Sequence, residues 1–317
     1  MKHYLLFFLM TVLISFSHAI AQDTGSGLDF LNIGPSARLL AINEAGTASP
    51  IGASAIYINP ALLVLEEQSS GEINYTSWIS NVNNQYGAVN FLRNNHAFGL
   101  GVYSSRADDF EARDRPGPSQ GAFSITFLSI AGSFARQFGP VSAGITGQFL
   151  REEVFQFRAN GFAVNFGLAT SFMNDRIRAG ISVLNIGEMD ELEFESTKLP
   201  TNLRIGLHSE LIELSTPLRD DLSVLFALDF DYIQPLRDNP SSDFATSSAD
   251  DPFFNIGLTS TIADLIVLQG GYKFGPTERP VSLGAAFLIN PVRINYALVP
   301  FRTGFDTVHS IGLQIYF

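Results

Sequence analysis

Cysteine is missing from all 317 residues of the chain. This absence excludes a disulfide framework and every form of thiol or thiolate chemistry. It also excludes a lipoprotein, because no cysteine is available near the N-terminus to carry the lipid. Any stability or binding chemistry must therefore come from packing, hydrogen bonds and charges.

Long apolar runs are missing as well. The sequence is 46% hydrophobic, yet beyond its first residues no run of about 18 uncharged apolar residues could form a membrane-spanning helix. Charged residues make up only 16%, against ~25% in typical soluble domains, and 28 Phe accompany a single Trp. Because only helix bundles and closed barrels can span lipid, this composition favours a barrel.

The first 21 residues have the three-part pattern of a secretory signal. Lys2 and His3 precede an apolar run from Tyr4 to Phe16, and Ala19-Ile20-Ala21 forms a small-x-small cleavage site. The run is shorter than the ~20 residues that a transmembrane helix needs, so a cleaved signal at 1–21 is favoured over an uncleaved anchor. The sequence thus predicts export.

Short segments of alternating polarity fill most of the remaining chain. In the last one, Ile311, Leu313 and Ile315 share a face, and Gly312 and Gln314 lie on the other. A strand between lipid and lumen requires this alternation. Four more segments repeat it with their charges confined to one face: 203–208, 224–232, 266–273 and 293–298.

Alternation and turn signals predict about 14 strands, and so an all-β fold: a transmembrane antiparallel β-barrel over 71–317. An even count places both ends of a bacterial outer-membrane barrel in the periplasm. The predicted strands are 71–80, 84–93, 95–104, 121–137, 139–154, 157–172, 176–185, 200–211, 220–233, 253–263, 265–274, 280–290, 292–301 and 308–317.

Loop lengths support the same topology. The three longest predicted connections, 105–120, 187–199 and 234–252, all fall at the end opposite the termini, as they do in outer-membrane barrels. The turns at the other end are short, except for an extended one at 212–219. The outer loops are acidic. We favour solvated loops over divalent-cation sites, because no metal-ligand spacing is present, and the excess of acid disfavours nucleic acid as a partner.

Residues 22–70 form a segment that suits neither a helix nor a strand. Small residues are frequent between Gly34 and Leu63, and Pro35, Pro50 and Pro60 interrupt any regular ladder. The sequence predicts a compact hatch inside the barrel lumen.

A lumen closed by a hatch would bury the charges that face it, and buried charges must be paired. The strand faces predict a lumenal polar network of both signs. Its members are Arg176, Arg178, Arg204, His208, Asp229, Asp231, Lys273 and Arg293.

Catalytic motifs are lacking: the chain has no Gly-x-Ser-x-Gly elbow, no His-Glu-x-x-His and no phosphate-binding loop. His208 with Asp229 or Asp231 could in principle activate Ser209 or Ser223, but no spacing specifies such a triad. A lumenal histidine among paired charges is the favoured interpretation. The sequence predicts a protein that is not an enzyme and that uses no cofactor and no metal.

Two segments of the hatch carry a family resemblance. Residues 30–38 (FLNIGPSAR) and 53–63 (ASAIYINPALL), with 199–206 (LPTNLRIG), 271–275 (GYKFG) and 295–301 (NYALVPF), resemble the PorV/PorQ outer-membrane barrels. That family has the 14-stranded architecture of the FadL long-chain fatty acid transporters, whose hatch carries an Asn-Pro-Ala element. The resemblance implies that the hatch residues of interest are Arg38, Asn59, Pro60 and Ala61.

The resemblance also implies a function. PorV-like barrels serve the type IX secretion system of Gram-negative bacteria. They bind the C-terminal signal domain of secreted cargo at the outer membrane and pass it to the cell-surface attachment complex. Here the loops would bind cargo, with Arg106, Arg113 and Arg115 as candidate contacts. Outer-membrane lipid and other secretion components would be the partners.

Two alternatives remain open. One is a FadL-like transporter, in which a hydrophobic molecule enters through the loops, meets the hatch and leaves through the wall. The other is a purely structural subunit of the attachment complex, which resemblance to PorQ would suggest.

Overall fold

In a computed structural model, the structure describes residues 28–317 except 113–120, 194, 217–218, 237–250, 276, 303 and 305. The predicted signal at 1–21 lies outside these residues. Fourteen antiparallel strands close into a barrel, and a segment N-terminal to the first strand lies in its lumen. The predicted fold, a 14-stranded transmembrane barrel with a hatch, is confirmed.

The strands follow one another around the wall in chain order. A short ribbon, β8 (Glu191–Leu192) with β9 (Glu195–Ser196), stands apart from the wall. The wall strands are β1 (Ser70–Ser77), β2 (Val82–Arg93), β3 (His96–Ala112), β4 (Gly121–Phe138), β5 (Val141–Val154), β6 (Phe157–Phe172), β7 (Ile177–Met189), β10 (Asn202–Thr216), β11 (Arg219–Pro235), β12 (Phe253–Ile262), β13 (Ile266–Phe274), β14 (Val281–Ile289), β15 (Val292–Val299) and β16 (Val308–Tyr316).

The barrel closes between its first and last strands. β1 pairs antiparallel with β16 from Ser70 opposite Tyr316 to Ser77 opposite His309. Closure leaves no unpaired edge along these two strands, which lipid could not satisfy.

Side chains alternate between lipid and lumen, as predicted. On β3, Phe98 and Leu100 are 52% and 61% exposed on the outer face, whereas Ala97 and Tyr103 are 0% and 1% exposed inside. On β11, Asp231 is likewise buried. The period of two thus places apolar side chains against lipid and polar or small ones in the lumen.

The two ends of the barrel differ. At the short-turn end, where β1 begins and β16 ends, each connection between neighbouring strands spans two to four residues. At the long-loop end, the connections include 190–201 and 236–252. This is the predicted asymmetry.

Two boundary predictions need correction. Residues 212–219 are not an extended turn, because β10 continues to Thr216 and β11 begins at Arg219. A bulge between Glu210 and Ile212 shifts the register there and hides the continuing strand from an alternation pattern. Likewise β3 runs on to Ala112, through part of the predicted loop 105–120, past an irregularity after Ala107.

The hatch comprises the described residues before β1, 28–69. Its elements are short: 3₁₀ helices at Asp29–Asn32, Gly52–Ser54 and Pro60–Val64, and α-helices α1 (Ala37–Ala41) and α2 (Ala55–Ile58). Among the described residues, no helix is long and apolar enough to cross a membrane. From residue 28 to 64 nearly every side chain is buried, so the hatch fills the lumen at its level.

Candidate functional site

Glycines on the inner wall make room for the hatch. At each of them an added Cβ would come within 3.1 Å of a hatch atom. The wall backbone therefore approaches the hatch more closely than any side chain would permit. The sequence pattern did not single out these glycines, although their inward parity on each strand could have revealed them. They are Gly99, Gly101, Gly144, Gly167, Gly180, Gly206, Gly257, Gly271 and Gly284.

Asn59 joins three parts of the structure. Its side-chain amide donates hydrogen bonds to the carbonyl oxygens of Thr47 in the hatch (2.8 Å) and Leu168 in β6 (3.2 Å). Its side-chain oxygen accepts from the backbone N–H of Ala61 (3.1 Å) and so caps the 3₁₀ helix that Pro60 begins. The Asn-Pro-Ala element therefore holds the hatch together and against the wall.

We expect Asn59→Ala with Pro60→Ala to loosen the hatch, because the double variant removes three hydrogen bonds and the fixed backbone of Pro60. Liposomes containing this variant should leak small hydrophilic dyes faster than liposomes with the wild-type protein. Asn160→Ala, on the exposed outer face of β6, is the control and should not leak. Equal leakage of both variants would show that the segment is a tether and not a plug.

A buried ion pair clamps the hatch turn at 44–47. The Asp231 carboxylate accepts hydrogen bonds from the backbone N–H groups of Gly46 (3.1 Å) and Thr47 (3.1 Å) and from the Thr47 hydroxyl (2.6 Å). Arg204 lies 2.8 Å from the same carboxylate and also donates to the Thr47 hydroxyl oxygen and the Glu44 carbonyl oxygen. Both charges are therefore fully engaged, as burial requires.

A second clamp joins the hatch to the long-loop end. The Glu44 carboxylate accepts from Arg279 at 2.9 Å and 3.3 Å and from the backbone N–H of Gly34 at 2.9 Å. Burial alone would raise the pKa of Glu44, but the charges of Arg279 and Lys273 and these hydrogen bonds outweigh it, so the pKa is lowered. Glu44 therefore stays ionised near neutral pH.

Of the other predicted network residues, Arg178 lies directly opposite His208 on the inner face, whereas Lys273, Arg293 and Arg176 lie elsewhere. Lys273 lies over the ring of Phe253, with its ammonium 3.7 Å from the ring centroid, and Arg293 donates to Asn295 at 2.7 Å. Arg178 faces the lumen near the short-turn end, where its Nε and Nη1 atoms are buried without a hydrogen-bond partner. Arg176 lies outside the buried network: its side chain is 62% exposed and 3.9 Å from Glu213.

His208 and Asp229 form a buried pair across β10 and β11, with Nδ1 and Oδ1 2.6 Å apart. Ser209 follows His208 on the strand and therefore points to the opposite face. The histidine is thus a partner of a lumenal carboxylate and does not face that serine. Arg38, the remaining predicted hatch residue, lies in α1 on the side of the lumen near Glu72.

The predicted cargo contacts are only partly within the described chain. Arg106 is exposed on β3 and lies 2.7 Å from Asp108, so its charge is already balanced by a neighbour. Arg113 and Arg115 lie outside the described residues. Arg151 and Arg158, which lie together at the same end, are both paired with Glu153, at 2.7 Å and 3.3 Å.

Aromatic rings of the hatch and of one side of the inner wall are in contact. Phe30, on the first helix of the hatch, stacks on Phe127 of β4 with ring centroids 5.7 Å apart and planes 12° apart. The same ring lies 5.2 Å from Tyr103 of β3. Tyr103 contacts Tyr57 and Tyr86 edge-on at 5.9 Å and 6.0 Å. These five side chains form a continuous aromatic column.

A second aromatic group lies nearer the long-loop end. Phe123 of β4 stacks on Phe110 of β3 at 5.4 Å and contacts Phe155 at 5.6 Å. Phe123 and Phe127 are four residues apart on one strand, so both point into the barrel. The two groups therefore follow one line from the exposed Phe155 down to the hatch. We call this line the aromatic path.

The aromatic path and the buried ion pairs lie on different strands of the inner wall. The aromatic path follows β2, β3 and β4, whereas the paired charges lie on β10, β11 and the neighbouring strands. The end of β7 and the connection after it cover the path at Phe30, because Met189 and Leu199 are buried in the same hydrophobic cluster as Phe30. Alternation alone could not reveal the path, since it combines hatch residues with wall residues.

No protein-family model matches the sequence, and no curated protein matches it significantly. Solved structures do match over most of its length. CymD, a monoaromatic hydrocarbon channel, is 14% identical with a TM-score of 0.58, over 90% of this chain and 97% of CymD. The Ralstonia pickettii toluene transporter TbuX is 15% identical with a TM-score of 0.56, over 90% of this chain and 98% of TbuX.

A third match is the Pseudomonas putida toluene transporter TodX, which is 11% identical with a TM-score of 0.58 over 89% of this chain and 97% of TodX. At such identities the likeness shows a shared fold. The predicted FadL-like architecture is confirmed at that level. None of these three structures is a PorV or PorQ protein or a secretion component.

Proposed function

We propose that the chain is an outer-membrane conduit for small hydrophobic molecules, in the manner of FadL-like transporters, and that aromatic hydrocarbons are its preferred class of solute. The aromatic path is the observation that carries this proposal. It starts at an exposed phenylalanine at the long-loop end and stops at the hatch, where a solute would have to pass.

The spacing of the rings suits a flat apolar solute. Neighbouring centroids within the column lie 5.2 to 6.0 Å apart, which is the usual separation of interacting aromatic side chains. A solute ring can exchange one such contact for another with little change in binding free energy. Binding at each point is therefore weak enough to permit onward movement.

The orientation follows from the two ends of the barrel. Short turns face the periplasm in outer-membrane barrels and longer loops face outward, so the path would open to the cell exterior. In this closed arrangement the hatch fills the lumen, and transport therefore requires part of it to move. Phe30 belongs to both the path and the hatch, so its segment is the part of the hatch that a solute meets first.

The secretion role expected from the PorV/PorQ resemblance stays a prediction, and the contacts of the predicted cargo-binding arginines do not support it. Two of the structures of similar fold are a hydrocarbon channel and a toluene transporter, and Arg106 is paired within its own strand. Co-purification of secreted proteins that carry C-terminal signal domains would support that role over transport.

We expect Phe123→Ala with Phe127→Ala to slow the uptake of toluene by about tenfold, because two ring contacts worth ~0.5–1.5 kcal/mol each are lost. Uptake of radiolabelled toluene by cells that produce each variant at equal levels measures the effect. The control is Phe134→Ala with Phe138→Ala, which removes two phenylalanines from the lipid-facing side of the same strand.

The control variant should transport toluene at the wild-type rate. Equal slowing by both double variants would refute the proposal, because the effect would then come from the wall and not from the path. Unchanged uptake in all variants would also count against it.

A further inference from the structure

An apolar groove of ≈ 760 Å³ lies on the outer surface of the barrel, where β16, β1, β2, β3 and β4 are neighbours. Its sides are lipid-facing residues, among them Ile73, Val89, Leu100, Ile130 and Phe317. The volume is within the ~300–1,000 Å³ typical of ligand pockets. An ordinary barrel wall would present a convex surface at this position.

Missing side chains create the groove. Gly71 and Gly87 face outward in its floor, and an added Cβ at either position would have no neighbour closer than 3.8 Å. There is thus open space above both glycines. Neither glycine is needed for a close backbone approach, which distinguishes them from the glycines that seat the hatch.

A row of basic residues lies on the same face at the short-turn end. Arg93 of β2 is directly opposite His96 of β3, and His96 is directly opposite Arg136 of β4. Arg93 and Arg136 are the two fixed charges of this row, one on each side of His96. Over the part of the chain that the structure describes, no ion pair involves any of these three residues. The row therefore has the charge to bind an anion.

The groove and the basic row are connected. Arg93 is four residues from Val89 on the outward side of β2, a distance of about 13 Å at ~3.3 Å per residue. Phe91 lies between the two on β2, and its ring is 6.0 Å from that of Phe317 at the edge of the groove. Basic residues beside an aromatic tier are typical of the boundary between hydrocarbon and head groups.

We propose that this site binds one phospholipid with an anionic head group, with an acyl chain in the groove and the phosphate on Arg93 and Arg136. Charge complementarity selects this occupant. A second copy of the chain, related by two-fold symmetry, would bring two basic rows together, and free phosphate would leave the groove empty.

Native mass spectrometry of the detergent-solubilised full chain with added phosphatidylglycerol or diacylglycerol tests the proposal. We expect the wild-type protein to retain one phosphatidylglycerol and little diacylglycerol. Arg93→Gln with Arg136→Gln should reduce retention of phosphatidylglycerol at least fivefold. The control is Arg176→Gln, which removes an arginine at the same end that Glu213 already neutralises.

A second pair of variants tests the groove itself. Gly87→Leu places a side chain in the groove and should also reduce retention, whereas Gly147→Leu, outside the groove with nothing within 4 Å of its added Cβ, should not. Equal retention of both lipids, or retention unaffected by both the arginine and the Gly87 variants, would overturn the proposal. A lipid-free dimer would assign the groove to a second copy instead.

Discussion

Gly144→Ala is expected to displace the hatch, although it adds a single methyl group. The new Cβ would lie 2.5 Å from the backbone nitrogen of Ala61 and 2.7 Å from the carbonyl oxygen of Pro60. Both are backbone atoms, so no side-chain rotation can relieve the overlap. Overpacking of this kind typically costs about 1–3 kcal/mol. The free energy of unfolding should fall by that amount unless the hatch moves away from β5.

Gly147→Ala on the same strand is the matched control. Gly147 faces outward, and its added Cβ would have no atom within 4 Å. Replacing a glycine at an unstrained position stabilises a protein by about 0.4–1 kcal/mol through the unfolded chain. The two variants should therefore change the free energy of unfolding in opposite directions.

Urea unfolding in detergent measures the stability of both variants, and ion conductance in planar bilayers reports on the hatch. We expect Gly144→Ala to raise the conductance, because a displaced hatch no longer closes the lumen. Conductance at the wild-type level together with wild-type stability would show that the hatch can yield at Pro60 without opening. In that case the glycines of the inner wall would not be what holds it in place.

The barrel could be predicted from sequence because its pattern is local. Each strand shows its two faces through neighbouring residues: the buried Asp229 and Asp231 alternate with the exposed Leu228 and Phe230. The closing Phe317 belongs to the same pattern. The number of strands and the unequal ends then follow by counting alternating segments and the connections between them.

The strand prediction from sequence was less accurate where the two-residue alternation is interrupted. The bulge after Glu210 adds a residue to one strand, and beyond it the faces exchange. The predicted lumenal position of Arg176 is wrong for a related reason. Arg176 lies in the turn before β7, where strand alternation no longer assigns a face. Its exposed position near Glu213 is decided by the turn.

The glycines that seat the hatch and the aromatic path depend on register across many strands. Gly144 and Gly167 are on adjacent strands and directly oppose each other, yet they are 23 positions apart in the chain. Phe30 meets Phe127 only because the hatch folds back through the lumen. The parity of a strand can show that a glycine faces inward, but not which residue it meets, so these pairs require the three-dimensional structure.

Asp231→Ala is the second variant for which we expect a large effect. It leaves the Arg204 guanidinium buried without its carboxylate, with a side chain only 8% exposed. Removing one partner of a buried pair typically costs about 3–5 kcal/mol. The backbone N–H groups of Gly46 and Thr47 lose their acceptor in the same step. The control is Glu213→Ala, since its exposed pair with Arg176 is worth only about 0–1 kcal/mol.

A double variant separates loss of the clamp from burial of a lone charge. Asp231→Leu with Arg204→Met removes both charges, and apolar replacement of a buried pair is often neutral or stabilising. Its free energy of unfolding should recover most of what Asp231→Ala loses. The hatch turn would still lack its acceptor, so limited proteolysis with mass spectrometry should find residues 44–47 cleaved faster than in the wild-type protein.

The two readouts distinguish a stabilising pair from a clamp. If the double variant recovers stability and the hatch stays protected, packing alone holds the turn, and the pair does not anchor the hatch. If stability recovers while the turn becomes accessible, Asp231 and Arg204 act on the hatch specifically. We expect the second result, because Asp231 accepts from the backbone N–H of Gly46 and from both donors of Thr47, and all three belong to the hatch.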